Sequence, residues 1–222
     1  MTLRSRGRWI TALGLCLLAV VYVRAIWFTP IEAGQGGAQK IFYVHVPAAW
    51  SFFLAVGLVG LSSVLYLLMK DDRFDRFAAA SAEVGTAFGA VVLTTGPLWG
   101  KPIWGTWWTW DARLTLTLFL FLVLVGYLLL RGAVHEPGVR ARYSAVLGIF
   151  GMVLVPFDHI SVYLFRTLHP QPIVLKPSAP SLPGSMLFTL LFSFLTFTIL
   201  YLGFVTQCYA AAASGEGASH VG

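Results

Sequence analysis

The chain has 222 residues, 58% of them hydrophobic and only 11% charged, with a mean hydropathy of +0.78. A soluble domain carries about 25% charged residues, so this composition excludes an ordinary water-soluble enzyme and makes lipid the solvent. The formal charge of +6 does not call for nucleic acid, because much of it falls in short loops between apolar runs, where positive-inside bias places Lys and Arg.

Apolar runs of roughly 20 residues mark transmembrane helices, and six can be drawn, at residues 10–28, 41–69, 77–98, 112–130, 143–164 and 185–208. Arg4, Arg6 and Arg8 precede the first run like the start of a signal peptide. The run is too long for such a segment and lacks a clean small-residue cleavage site, so it is read as an uncleaved span. Trp9 and Trp27 bracket it as interfacial anchors do. A polar, Gly-rich loop follows at 32–40, and Lys70, Asp71, Asp72 and Arg73 close the second span. Glu83 falls within the third span, and Gly85 and Gly89 form a GxxxG pair, a weak signal of close helix packing. Arg131 closes the fourth span, and His135, Glu136, Arg140 and Arg142 occupy the next loop. A proline-rich loop at 166–184 leads into the sixth span, and the Ala/Gly/Ser tail at 209–222 is expected to be disordered. Cys16 and Cys208 lie in or at the end of apolar segments without a CxxC, which suits small-residue packing rather than thiol chemistry.

The fold class expected is therefore all-α, a single polytopic domain over 1–222 with six transmembrane helices. With the N-terminus in the cytoplasm, nine of the Lys and Arg residues fall inside and six outside. Both termini are expected to be cytoplasmic. This orientation puts His45, His169 and the connector at 99–115 on the outer side. His159 falls near the outer part of span five, and His135 and His220 on the opposite side.

That connector is the most unusual stretch. Five of the chain's 8 Trp residues, Trp99, Trp104, Trp107, Trp108 and Trp110, surround Asp111, Lys101 and Arg113. A tryptophan-lined shelf at a membrane surface suits a large, flat, amphiphilic aromatic ligand such as haem. If the connector is helical, Trp104, Trp107, Trp108 and Asp111 share one face, although Gly105, Thr106 and Thr109 oppose a helix there. Neutral imidazole can ligate haem iron, and His45 and His169 can approach a ring from two sides. Arg113, Lys101 or Arg166 can pair the propionates. Each feature has a plainer reading: Trp residues form interfacial belts, Asp111 caps the fourth helix, and a lone His is more often solvated or packed. The chain has no GxxxxGK[ST], so it supplies no P-loop ATPase of its own, and it has no GxSxG, HExxH or CxxCH.

The run from Trp104 to Asp111, WGTWWTWD, resembles the tryptophan-rich "WWD" signature of the haem-handling proteins of cytochrome c maturation. Its continuation through Ala112, Arg113, Leu114 and Thr115 resembles the CcmC branch. Larger relatives, the synthase CcsA and the haem lyase subunit CcmF, typically follow Trp-Asp with proline. Tyr43 to Trp50, YVHVPAAW, and Thr167 to Pro170, TLHP, resemble the segments around that family's two outward His residues. The loop after His169 is richer in proline than the family pattern.

The resemblance implies binding of haem b at the outer, periplasmic face of the bacterial cytoplasmic (inner) membrane. The WWD segment, here Trp99, Trp104, Trp107, Trp108, Trp110, Asp111 and Arg113, would hold the ring, with His45 and His169 as axial ligands. It implies delivery of haem to the periplasmic chaperone CcmE, in company with CcmD and the ATP-binding cassette pair CcmA and CcmB. The chain is then a transport and chaperone-loading subunit rather than an enzyme. A haem b subunit of a quinol oxidoreductase would place His pairs deep within spans. A plain exporter permease would not need the Trp connector, and a small haem lyase would attach haem without the chaperone.

Overall fold

The computed structural model describes residues 2–174, 176 and 178–215. Among them the ordered elements are helices: α1 (Leu3–Val23), α2 (Phe42–Met69), α3 (Asp72–Trp104), α4 (Ala112–Ala133), α5 (Pro137–Leu164) and α6 (Gly184–Ala213). A π-helical turn at Arg24–Phe28 extends α1, and a 3₁₀ turn at Gly37–Ile41 leads into α2. All six helical segments are long and apolar enough to cross a membrane.

The helices outrun the expected spans where polar caps lie beyond the apolar core. Asp71 accepts from the Arg73 N–H and starts α3 five residues early, while Glu136 with Pro137 starts α5 before its first long apolar run. At its far end α3 runs on through Trp99 to Trp104, so the first six residues of the expected connector are helical. Helix α6 continues to Ala213, into the stretch expected to be disordered; residues 216–222, with His220, lie outside the described residues. Pro47 and Pro156 sit inside continuous helices.

Helix α2 is the central post. It packs against α3, α5 and α6, with α1 lying along α6 and α4 along α5 and α3. Phe52, Val56, Val59, Leu120, Leu124, Phe197 and Tyr201 form the core. Close approach is built from small residues: a Cβ on Gly60 of α2 would fall 2.9 Å from the Gly148 carbonyl of α5. The Gly85/Gly89 pair serves the same purpose, Gly85 against Ala55 and Leu124, Gly89 against Phe52 and Phe121. Without a hydrophobic force between helices in lipid, such backbone contact and van der Waals packing hold the bundle. The end of the bundle carrying the start of α1 and the end of α6 has a half-buried ion pair, Arg131 Nη1 to Asp75 Oδ1 at 2.6 Å. The other end gathers the α1–α2 loop, the α3–α4 connector and the α5–α6 loop.

Candidate functional site

Those three loops roof a cavity of about 420 Å³, within the ~300–1,000 Å³ typical of ligand pockets. Its walls come from one stripe of α2 (Phe42, His45, Val46, Ala49, Trp50 and Phe53), the last three turns of α3, and the starts of α4 and α6. The lining is mostly apolar. A few polar groups converge on it: His45, His159, His169, Arg113 and Thr117, with Glu32, Gln35 and Gln39 at the α1–α2 side.

His45 is buried in the second turn of α2 rather than lifted on a loop, at 8% exposure. Its Nδ1 lies 2.9 Å from Thr95 Oγ1. Thr95 spends its own proton on the Val91 carbonyl at 2.7 Å, so its oxygen accepts and His45 Nδ1 carries the hydrogen. Network logic of this kind assigns the tautomer: the lone pair of His45 is on Nε2. Gly96 leaves room for the ring, a Cβ there falling 3.3 Å from Cε1, and Trp99 meets it edge-on at 5.8 Å. Trp99 is in turn fixed by its Nε1–H donating to Gln35 Oε1 at 3.0 Å.

His169 reaches the cavity from the α5–α6 loop. Its Nδ1 is 2.8 Å from the Pro170 carbonyl, which can only accept, so its lone pair is also on Nε2. Burial, with the Arg113 guanidinium second, pulls this imidazole down to about 4. It is neutral at pH 7 and available as a donor of electrons to a metal.

The tryptophans divide. Trp99, Trp104, Trp107 and Trp108 line the cavity, whereas Trp110 does not and is 78% exposed, meeting Trp108 edge-to-face at 5.8 Å. The connector is not helical between Gly105 and Asp111, so the single helical face considered for Trp104, Trp107, Trp108 and Asp111 does not form. Gly105 takes the left-handed conformation at φ 76° and ends α3 with its N–H on the Lys101 carbonyl at 3.0 Å. The chain then turns through Thr106, whose hydroxyl donates to the Trp108 carbonyl at 3.0 Å. Trp108 Nε1 is buried in the cavity wall with no hydrogen-bond partner among the described residues.

Asp111 stands outside the lining. It caps α4, Oδ1 accepting from the Leu114 N–H at 3.1 Å and Oδ2 from the Thr109 hydroxyl at 2.8 Å. Burial opposes its ionisation, but these bonds, together with the Thr167 hydroxyl and the Leu168 N–H, hold its carboxyl below the usual carboxylate range. One carboxylate thus ties the connector, the start of α4 and the His169 loop together.

Arg113 lines the cavity and is anchored from behind. Its Nη1 donates to the Asp158 carbonyl at 2.6 Å and stands 3.1 Å from Asp158 Oδ2. That oxygen has no well-aligned donor, while Oδ1 accepts from Thr117 at 3.2 Å. Of the three cations weighed for a carboxylate-bearing ligand, Arg113 alone is in the wall. Lys101 donates to the Gly105 carbonyl at 2.9 Å, and Arg166 is exposed on the α5–α6 loop.

The cavity is mostly apolar, with three imidazoles and one guanidinium among its lining groups. A family model described as heme exporter protein C matches residues 2–214. The chain belongs to the heme exporter protein C family. It is 38% identical over 195 residues to the heme exporter protein C of Bradyrhizobium diazoefficiens, covering 87% of this chain and 73% of that one. It is 37% identical to its counterpart from Haemophilus influenzae, over 86% and 77% of the two chains. A cytochrome c biosynthesis ccmC-like mitochondrial protein of Marchantia polymorpha is 37% identical over 85% and 80%.

Within this member of the family, sequence reasoning missed Thr95, Gln35 and Asp158. None lies near its partner in sequence: 50 residues separate His45 from Thr95 and 64 separate Gln35 from Trp99. The remaining signals were a threonine inside an apolar span and an acid next to His159.

Proposed function

We propose that the chain binds haem b in this cavity and delivers it to the periplasmic chaperone CcmE during c-type cytochrome biogenesis. Membership of the family makes it a multi-pass membrane protein of haem handling in cytochrome c maturation, a transport subunit rather than an enzyme. In the finer reading haem is cargo. His45 and His169 ligate its iron through Nε2, and Trp99, Trp104, Trp107 and Trp108 pack on the ring. Arg113, with Nη1 held by Asp158, turns its other N–H donors to a propionate. Trp110 extends the shelf at the surface where a partner docks, and Asp111 keeps the His169 loop in place.

The observation carrying this reading is that two imidazoles line one cavity with both Nδ1 hydrogens committed, to Thr95 and to the Pro170 carbonyl. Outer hydrogen bonds of this type are what orient metal-bound His. The site end faces the periplasm, both termini face the cytoplasm, and the membrane is the bacterial inner membrane. ATP hydrolysis comes from CcmA with CcmB, and CcmD joins the same complex.

Co-expression with CcmE tests delivery. Covalent haem on the chaperone, read by haem stain of denatured gels, is expected with the wild-type chain and lost with His45→Ala or His169→Ala. Equal chaperone loading by the wild type and both variants contradicts the reading.

A further inference from the structure

Helix α3 faces His45 with three residues near its C-terminal end: Thr95, whose hydroxyl lies 2.9 Å from Nδ1, Gly96, whose lack of a Cβ leaves room for the ring, and Trp99, whose ring centroid is 5.8 Å from the imidazole. Of these only Thr95 touches a ring nitrogen. Its position is itself constrained, because its proton is committed one turn back to the Val91 carbonyl at 2.7 Å. The result is a directed chain of hydrogen bonds, His45 Nδ1–H to Thr95 Oγ1, Thr95 O–H to the Val91 carbonyl. It can run in only one direction, since the carbonyl cannot donate.

We propose that Thr95 is a positioning residue for haem ligation. It fixes the tautomer and rotation of His45 so that Nε2 points into the cavity, and by accepting the Nδ1 hydrogen it makes Nε2 a stronger donor. This rests on the reading of His45 as an iron ligand. The two ligands differ in how they are held. His169 is oriented by the main-chain carbonyl of its own neighbour, Pro170, which no side-chain change removes. His45 depends on a side chain from another helix, 50 residues away. An isolated imidazole in an apolar wall has two tautomers and two ring flips, and only one combination presents Nε2 to the cavity with Nδ1 satisfied. Without Thr95 the ring loses that selection and leaves a buried N–H unpaired, which carries a desolvation cost.

The test uses full-length protein purified in detergent, as wild type, Thr95→Val, Thr95→Ser and His45→Ala. Haemin affinity, pyridine haemochrome content and the midpoint potential of the bound haem are measured, with thermal melting to check folding. Thr95→Val keeps the shape of the side chain and removes only the hydroxyl. It is expected to stay folded, with a melting temperature lowered by a few degrees for the unpaired N–H, and to bind haem about 10- to 100-fold more weakly, the usual effect of losing such an outer-shell partner. Its midpoint potential should move positive, because a less basic ligand stabilises ferric iron less. Thr95→Ser should restore both. Wild-type affinity and potential in Thr95→Val, with haem lost from His45→Ala, overturn the role of Thr95 and leave the ligand reading standing. Unchanged haem in His45→Ala overturns the ligand reading and this proposal with it. A weakened Thr95→Val that serine fails to rescue reduces Thr95 to a packing residue and contradicts the proposal.

Discussion

Asp111 illustrates how one side chain links local structure to a distant ligand. Its carboxylate closes the first turn of α4, where free N–H groups and the helix dipole favour negative charge, and also binds the loop two residues before His169. Asp111→Ala should therefore cost about 0.5–2 kcal/mol for the lost cap and also lower haem content, although the residue is absent from the cavity wall. Melting curves and haemochrome assays on one preparation separate the two effects. The pH dependence follows from the direction of its shift. A carboxyl held below its ordinary value near ~3.9 stabilises fully above that pH and loses the stabilisation only as pH falls through its lower folded value. Protease protection of the loop at 165–183 should hold at pH 7 to 8 and weaken as pH falls below 6.5, because the released His169 takes up a proton that the folded loop refuses until about 4, with a further loss below about pH 4 that is absent in Asp111→Ala.

The elements show what makes the site rigid on one side and adaptable on the other. Helix α3 carries Thr95, Gly96, Trp99 and Trp104 on one rod, and it stops at Gly105 because that residue alone takes the left-handed turn there. Gly105→Ala puts a Cβ in that conformation, costing roughly 1–2 kcal/mol. The expected outcome is a lower melting temperature and weaker haem binding, because Trp107 and Trp108 are aimed by this turn. An unchanged melt and affinity would mean that the connector tolerates a different exit from α3. The helices themselves were legible from hydropathy alone, since six apolar runs have few alternatives in a bilayer. Their ends were not, because Asp71 and Glu136 cap polar turns that project past the apolar runs. The connector's Trp cluster was legible from its composition, and four of its five indoles line the cavity. Its conformation was legible only in part: the indole spacing suggested one helical face, while Gly105, Thr106 and Thr109 opposed it, and Gly105 is where α3 ends.

At the scale of the whole molecule, three loops and the six helix ends they join converge on one end of the bundle, and the start of α1 and the end of α6 lie at the other. The convergence of His45 and His169 was legible as topology: an even number of crossings separates their segments, so both reach the same side. Their hydrogen-bond partners were not, because Thr95 and the Asp158 behind Arg113 belong to other helices and leave no periodic mark. The excess of Lys and Arg at the terminal end predicts that this end is cytoplasmic. Reporter fusions check it. Alkaline phosphatase should be active when inserted in the loop at 165–183 and inactive after Ser214, and green fluorescent protein the reverse. The opposite pattern would put the cavity on the cytoplasmic side and exclude delivery to a periplasmic chaperone.

The central claim is that two His residues from separate elements hold one haem. The most direct measurement is the absorption spectrum with pyridine haemochrome quantitation on purified wild type, His45→Ala, His169→Ala and His135→Ala. Haem b with a six-coordinate, bis-His spectrum in the wild type and in His135→Ala, altered in each of the other two, is the predicted result. Haem with one unchanged spectrum in all four proteins would contradict the account and move the iron to another ligand, His159 being the imidazole left in the cavity wall.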